Sequence, residues 1–163
     1  NFVLIRRNYK TLPAFLDMFC LKLGLEDVIV YFPHLRGMMA INAEREGVTY
    51  AQAAPYVRQG VKILEERGRL DSLMLANFVP CVLPEMTERM LDWSHAPREA
   101  TMTHPEGFTE KIGLMKGRQR AEVRACGSCA ERGACLGVEQ EYIERCGDGD
   151  FKPLSRPAQR VRA

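Results

Sequence analysis

Cys126-Gly127-Ser128-Cys129-Ala130-Glu131-Arg132-Gly133-Ala134-Cys135-Leu136-Gly137 is a segment with three cysteines in a C-x2-C-x5-C spacing. Two residues between Cys126 and Cys129 allow both sulfurs to turn toward one centre, as in sites that hold zinc or an iron–sulfur cluster. The glycines at positions 127, 133 and 137 permit the tight backbone turns that such a centre needs nearby. The segment therefore predicts a metal site with three thiolate ligands.

A fourth ligand has to come from another part of the chain, and two cysteines are candidates. Cys81 follows a predicted strand, whereas Cys146 lies just downstream of the segment. Because rigid elements hold ligands most accurately, we favour Cys81. His95 and His104 could each replace a cysteine, although a lone histidine in a loop is more often simply exposed. Spacing leaves iron–sulfur and zinc open, since both accept four cysteine thiolates.

The composition is that of a globular protein with about one domain: 163 residues, of which 46% are hydrophobic and 27% charged. The balance of 23 basic and 21 acidic residues is too even to favour nucleic acid or an acidic surface as a partner. Without a bilayer-length apolar run or a signal peptide, we expect a cytoplasmic protein that does not bind membranes. There, six cysteines favour metal binding or catalysis over disulfides.

Hydrophobic periodicity predicts an α/β fold in which strands and helices alternate, with parallel strands and right-handed crossovers. Residues 38–48 carry no clear pattern, and residues 94–117 read as a loop. Such a small parallel sheet leaves an apolar edge uncovered, so we expect further sequence before Asn1. Strands are predicted at 2–5, 27–32 and 72–79, and helices at 11–23, 49–67, 84–93 and 138–145.

Individual residues indicate where these helices begin, bend and end. Thr49 and Gln52 match a capping box at the start of the helix at 49–67. Pro55 predicts either a kink or a later helix start. Gly68 is expected to end this helix, as Gly24 ends the previous one. Cys20 lies beside the apolar stripe of the first helix, so we expect a buried, inert thiol.

The C-terminal run Cys126-x2-Cys129-x5-Cys135-Leu136-Gly137-Val138-x3-Tyr142-x4-Gly147, with Asp150-Phe151-Lys152-Pro153 after it, resembles the auxiliary iron–sulfur segment of radical SAM enzymes with a SPASM-like or twitch-like extension. The front half, Asn1-Phe2-Val3-Leu4-Ile5 with Asn8-Tyr9-x2-Leu12 and Leu23-Gly24-Leu25, looks like the last two βα units of their six-unit barrel. Val79-Pro80-Cys81 looks like the upstream cysteine that these families place after the barrel.

This resemblance implies three parts. Residues 1–80 would be the C-terminal portion of an open (β/α)6 radical SAM-type barrel. Residues 81–153 would be a cysteine-rich, loop-dominated extension, and residues 154–163 a basic tail. It also implies that Cys81, Cys126, Cys129 and Cys135 hold one auxiliary 4Fe–4S cluster.

The resemblance further implies that Asn8 and the loop after Phe32, with Tyr31 and His34, border S-adenosylmethionine and substrate. Arg6 and Arg36 lie at the same predicted strand ends.

The chain departs from the family in lacking the C-x3-C-x2-C loop of the cluster that cleaves S-adenosylmethionine. That loop belongs to the N-terminal half of the barrel, which is the expected partner. This chain alone is therefore not expected to be active, and no catalytic residue is assigned. Relatives with such extensions often modify peptides, so a peptide is one candidate substrate. The alternative is a zinc-stapled structural or binding module with a small α/β domain.

Overall fold

The computed structural model describes residues 1–91, 101–103 and 106–156 of the chain. Backbone contacts divide the chain into two units. The first unit comprises residues 1–78 and 89–91, and the second comprises residues 79–88 and those from 92 onward. The predicted boundary between barrel and extension followed residue 80. Trp93, His95 and His104 lie outside the described residues, as does the end of the predicted basic tail beyond residue 156.

The first unit contains a three-stranded parallel sheet. Its strands are β1 (Phe2–Val3), β2 (Val28–Tyr31) and β3 (Leu73–Ala76), and β2 lies in the middle. Val3 pairs with Tyr31, which in turn pairs with Ala76. All three predicted strands are present, although each is shorter than predicted. The sheet is open, and the described residues contain no closed barrel.

Two helical segments connect the parallel strands of the first unit. The segment after β1 is helix α1 (Leu12–Leu16), which continues as a π-helical stretch, Asp17–Lys22. Gly24 follows with a φ of +71°, a left-handed backbone conformation that readily ends a helix. Helix α1 packs closely against the helix at residues 50–65, because a Cβ on Gly60 would lie 2.6 Å from Cδ1 of Leu16.

Helix α2 (Met38–Glu46) occupies the stretch for which the sequence predicted nothing. Its only fully buried residue is Ala43, so the sequence shows no apolar stripe there. Helix α3 (Tyr50–Glu65) follows, and its predicted capping box is confirmed. Gln52 N–H donates to Oγ1 of Thr49 at 3.2 Å, and Thr49 N–H donates to Oε1 of Gln52 at 3.0 Å. Pro55 lies inside α3 and does not begin it.

The carboxyl ends of β2 and β3 are tied together by buried aromatic and amide groups. The rings of Phe32 and Tyr50 stack with centroids 3.7 Å apart, and Phe78 packs edge-on against Phe32 at 5.6 Å. The Tyr50 hydroxyl donates to the carbonyl oxygen of Asn77 at 2.8 Å. Nδ2 of Asn77 donates to the carbonyl oxygen of Phe32 at 3.0 Å. Asn77 holds a φ of 63°, which asparagine tolerates better than most residues.

The second unit consists of short elements. Strands β4 (Thr101–Thr103) and β5 (Thr109–Lys111) form an antiparallel hairpin, and helix α4 (Ile112–Arg118) follows it. The prediction of a loop over residues 94–117 is therefore wrong for the part that is described. The hairpin is almost wholly exposed, so it lacks the buried alternate positions that mark a strand in a sequence.

The cysteine-rich segment lies between two paired strands of the second unit. Strand β6 (Arg120–Ala121) pairs antiparallel with β7 (Val138–Glu139). Helix α5 (Gln140–Cys146) comes next, so the helix predicted from residue 138 begins two residues later. Residues Pro84–Arg89 form a 3-10 helix where an α-helix was predicted. Among the helices of the described chain, none has the combined length and apolarity that a bilayer crossing requires.

Candidate metal centre

Cys81 lies in a tight turn at the start of the second unit. The turn is closed by the N–H of Val82, which donates to the carbonyl oxygen of Val79 at 3.0 Å. Pro80 occupies the second position of this turn, where its restricted φ favours the turn conformation. Cys81 is therefore presented by a short, locally hydrogen-bonded turn shortly after β3 in the sequence.

Cys126 and Cys129 are placed by successive three-residue turns. Cys126 lies within a 3-10 helix, Arg124–Ser128, and its N–H donates to the carbonyl oxygen of Val123 at 2.9 Å. The N–H of Cys129 donates to the carbonyl oxygen of Cys126 at 3.2 Å. Two intervening residues thus form one turn between the cysteines, as their spacing predicts.

Cys135 closes the segment. Its N–H donates to the carbonyl oxygen of Glu131 at 2.8 Å, and Gly133 within this turn has a φ of +83°. A glycine adopts such a backbone without the strain that a Cβ would introduce. The turn brings Cys135 back toward the residues that begin it.

Cys81, Cys126, Cys129 and Cys135 line a single pocket within the second unit. Cys20 and Cys146 are not among the pocket residues. The other residues around the pocket are mostly apolar, with two acidic side chains and one arginine: Val79, Pro80, Glu122, Glu131, Arg132, Gly137, Val138 and Leu154. The structure thus brings together the four cysteines that the resemblance groups as ligands.

Two of the pocket sulfurs accept hydrogen bonds from backbone N–H groups. Gly137 N–H donates to Sγ of Cys135 at 3.3 Å, and Leu154 N–H donates to Sγ of Cys129 at 3.4 Å. Such donors stabilise a sulfur that carries negative charge, as it does when it binds a metal. Neither donor was predicted from the sequence. Leu154 has no polar side chain that could have suggested it.

The environment of the pocket opposes free thiolates. Burial, followed by the neighbouring Cys135, Cys129 and Cys126, raises the pKa of the Cys81 thiol to about 12. Burial also raises the pKa of Cys135 to about 11, against the opposing effect of the Gly137 hydrogen bond. These thiols keep their protons unless a cation replaces them.

No three cysteine, histidine, aspartate or glutamate side chains in the described ranges are arranged so that they could already hold a metal ion. Support for a metal therefore rests on the shared pocket and on the chemistry of its four soft sulfur donors. Thiolates of this kind suit an iron–sulfur cluster or zinc. The residues present fit either group in donor type and number.

The remaining cysteines occupy different surroundings. Cys20 is 1% exposed in the π-helical stretch of the first unit, as expected for a buried thiol. Cys146 is exposed at the C-terminal end of α5. Its pKa is raised, first by partial burial of the sulfur and then by the charge of Asp150, against the opposing effect of a hydrogen bond with Tyr142.

The residues assigned to S-adenosylmethionine by resemblance lie in the first unit. Oδ1 of Asn8 accepts from Ile5 N–H at 2.8 Å, and its Nδ2 donates to the carbonyl oxygen of Val3 at 2.9 Å. Asn8 thus braces the turn that follows β1. Tyr31 is the half-buried last residue of β2, and His34 is exposed in the loop after it.

The two arginines noted with them also lie in the first unit. Arg6 reaches the loop after α2 through Nε, which donates to the carbonyl oxygen of Gly47 at 3.2 Å. Arg36 directly precedes Gly37, the residue that caps the start of α2.

No family model, curated protein or solved structure matches the chain.

Proposed function

We propose that Cys81, Cys126, Cys129 and Cys135 bind an auxiliary 4Fe–4S cluster, and that the chain is the C-terminal part of a radical SAM enzyme. The rest of that enzyme would carry the cluster that cleaves S-adenosylmethionine. The observation that carries this proposal is the shared pocket, to which Cys81 contributes although it lies far from the other three in the sequence. The resemblance of the cysteine segment supplies the choice of iron–sulfur.

The contribution of this chain is to hold the four thiolates and to control their surroundings. When bound, such a cluster supplies a one-electron donor or acceptor, or an iron that ligates substrate. The N–H groups of Gly137 and Leu154 donate to two of the ligand sulfurs. Val79, Val138 and Leu154 line the pocket, and such apolar residues would limit the access of water to a bound cluster.

Metal and sulfide analysis tests this proposal directly. The full-length protein is purified without oxygen, and its iron, acid-labile sulfide and zinc are measured per chain. We expect the wild type to contain one more iron–sulfur cluster than the double variant Cys126→Ala/Cys129→Ala. A colourless wild type that contains zinc and no sulfide would instead support the zinc-stapled structural or binding module.

The enzymatic part of the proposal needs its own assay. We expect the reduced full-length protein to convert S-adenosylmethionine to 5′-deoxyadenosine and methionine, and the 163 residues alone to form neither product. Product formed by the 163 residues alone would refute the assignment to the C-terminal part. The same assay with candidate peptides tests whether the substrate is a peptide.

A further inference from the structure

The stretch Asp150–Leu154, which we call the C-terminal strap, is hydrogen-bonded to the cysteine segment through backbone groups. Leu154 N–H donates to Sγ of Cys129 at 3.4 Å. In return, Ala130 N–H donates to the carbonyl oxygen of Leu154 at 2.8 Å. These two bonds join the strap to Cys129 and Ala130. Leu154 is therefore held both at its N–H and at its carbonyl oxygen.

The other end of the strap is held by helix α5. Phe151 is 6% exposed and packs edge-on against Tyr142, with ring centroids 5.7 Å apart. The Tyr142 hydroxyl is hydrogen-bonded to the carboxylate of Asp150. A buried ring of this size provides an anchor that local fluctuations do not readily release.

Leu154 is also one of the residues that line the pocket of the four cysteines. One apolar residue therefore donates a hydrogen bond to a ligand sulfur and lines the same pocket. Hydrogen bonds to the sulfurs and exposure to solvent are two of the factors that set the reduction potential of an iron–sulfur cluster. The strap acts on both factors, although it contains no ligand itself.

We propose that Leu154 is a positioning residue whose backbone N–H raises the reduction potential of the cluster through Cys129. This inference rests on the proposed function. Reduction adds one electron to the cluster and increases the negative charge on its sulfurs. A fixed N–H dipole directed at Sγ of Cys129 favours that reduced form, so its removal should make reduction less favourable.

The test uses two substitutions at position 154 in the full-length protein. Leu154→Pro removes the N–H and keeps an apolar side chain, because proline has no backbone donor. Leu154→Ala keeps the N–H and shortens the side chain, so it is the matched control. The cluster is titrated with dithionite as the one-electron reductant and followed by electron paramagnetic resonance. The signal of this site is identified as the one that Cys126→Ala/Cys129→Ala lacks.

We expect the equilibrium constant for reduction of the cluster to be about tenfold smaller in Leu154→Pro than in Leu154→Ala. For one electron, this lowers the reduction potential by about 59 mV. Iron and sulfide contents should be equal in the two variants. Equal potentials with an intact cluster would overturn the inference and leave the proposed function standing. A wild type without the cluster would overturn the proposed function itself.

A second measurement covers the case in which Leu154→Pro does not hold the cluster. Hydrogen exchange of the wild type is compared with and without the cluster, using a peptide that covers residues 151–156. We expect the Leu154 amide to exchange at least about tenfold more slowly in the loaded protein, while a peptide from α3 exchanges unchanged. Equal exchange in both forms would overturn the inference without any variant.

Discussion

Gly137 approaches Ala121 so closely that a Cβ on residue 137 would overlap the carbonyl oxygen of Ala121. Gly137 also has a φ of +87° and donates its N–H to Sγ of Cys135. One glycine thus joins the β6–β7 pair to the pocket of the four cysteines. No other residue type provides both the backbone conformation and the close approach.

Gly137→Ala should therefore disrupt the second unit. The left-handed conformation alone costs an alanine about 1–2 kcal/mol, and the overlap with Ala121 adds to this. We expect a lower urea midpoint for the second unit and a loss of bound metal. Gly127→Ala is the matched control, because a Cβ there meets nothing within 4 Å and the φ is not left-handed. Equal midpoints for the two variants would contradict the role assigned to Gly137.

Removal of Cys81 should release the cluster, whereas removal of Cys146 should not. Cys81 lines the pocket and Cys146 is exposed outside it. We expect Cys81→Ala to lose most of the iron and sulfide of this site and to loosen residues 121–147, because metal binding is coupled to folding. Cys146→Ala should retain the wild-type content. If Cys146→Ala lost the cluster and Cys81→Ala kept it, the ligand assignment would be wrong.

The hydroxyl of Tyr50 should contribute measurably to the stability of the first unit. It donates to the carbonyl oxygen of Asn77 at 2.8 Å, and Asn77 is only 5% exposed. Tyr50→Phe should lower the free energy of unfolding by about 1 kcal/mol in chemical denaturation. Tyr56→Phe is the control, since Tyr56 is only half-buried and packs edge-on against Tyr9. A Tyr50→Phe variant as stable as the control would exclude this contribution.

The metal-free protein should lose stability at high pH. The pKa of Cys81 is raised from 9.0 to about 12, and that of Cys135 to about 11. The folded chain then holds these protons more tightly than the unfolded chain. The contribution of these two thiols to the free energy of unfolding is complete below pH 9 and decreases as the pH rises toward 11 and 12.

Urea denaturation of the metal-free protein between pH 8 and 11 measures this dependence. Cys81→Ala should show a shallower decrease, because one of the two shifted groups is absent. In the loaded protein the sulfurs carry metal instead of protons, so we expect the midpoint to change little with pH. A flat curve for the metal-free wild type would contradict the prediction.

The elements of the first unit could be predicted where one face is buried and the end signals are local. Thr49 and Gln52 marked the start of α3, and Gly68, with a φ of +62°, follows its end. Helix α2 could not be predicted, because Met38 and Ile41 are 71% and 77% exposed and break any apolar stripe.

The candidate site was predictable only in part, because some of its groups carry no local sequence signal. Spacing alone grouped Cys126, Cys129 and Cys135, since two and five residues are enough to form the observed turns. The choice of Cys81 depended on its position after a predicted strand and on the resemblance. Leu154 could not be found at all, because its backbone N–H is common to every residue except proline.

A metal bound by residues so far apart in the sequence would also act as a cross-link. Joining Cys81 to Cys126 closes a loop of about 45 residues, which in the chain-entropy model raises the free energy of the unfolded state by about 4 kcal/mol at room temperature. The loaded chain would then tolerate a break in its backbone between these two cysteines, since the metal would still hold both pieces together.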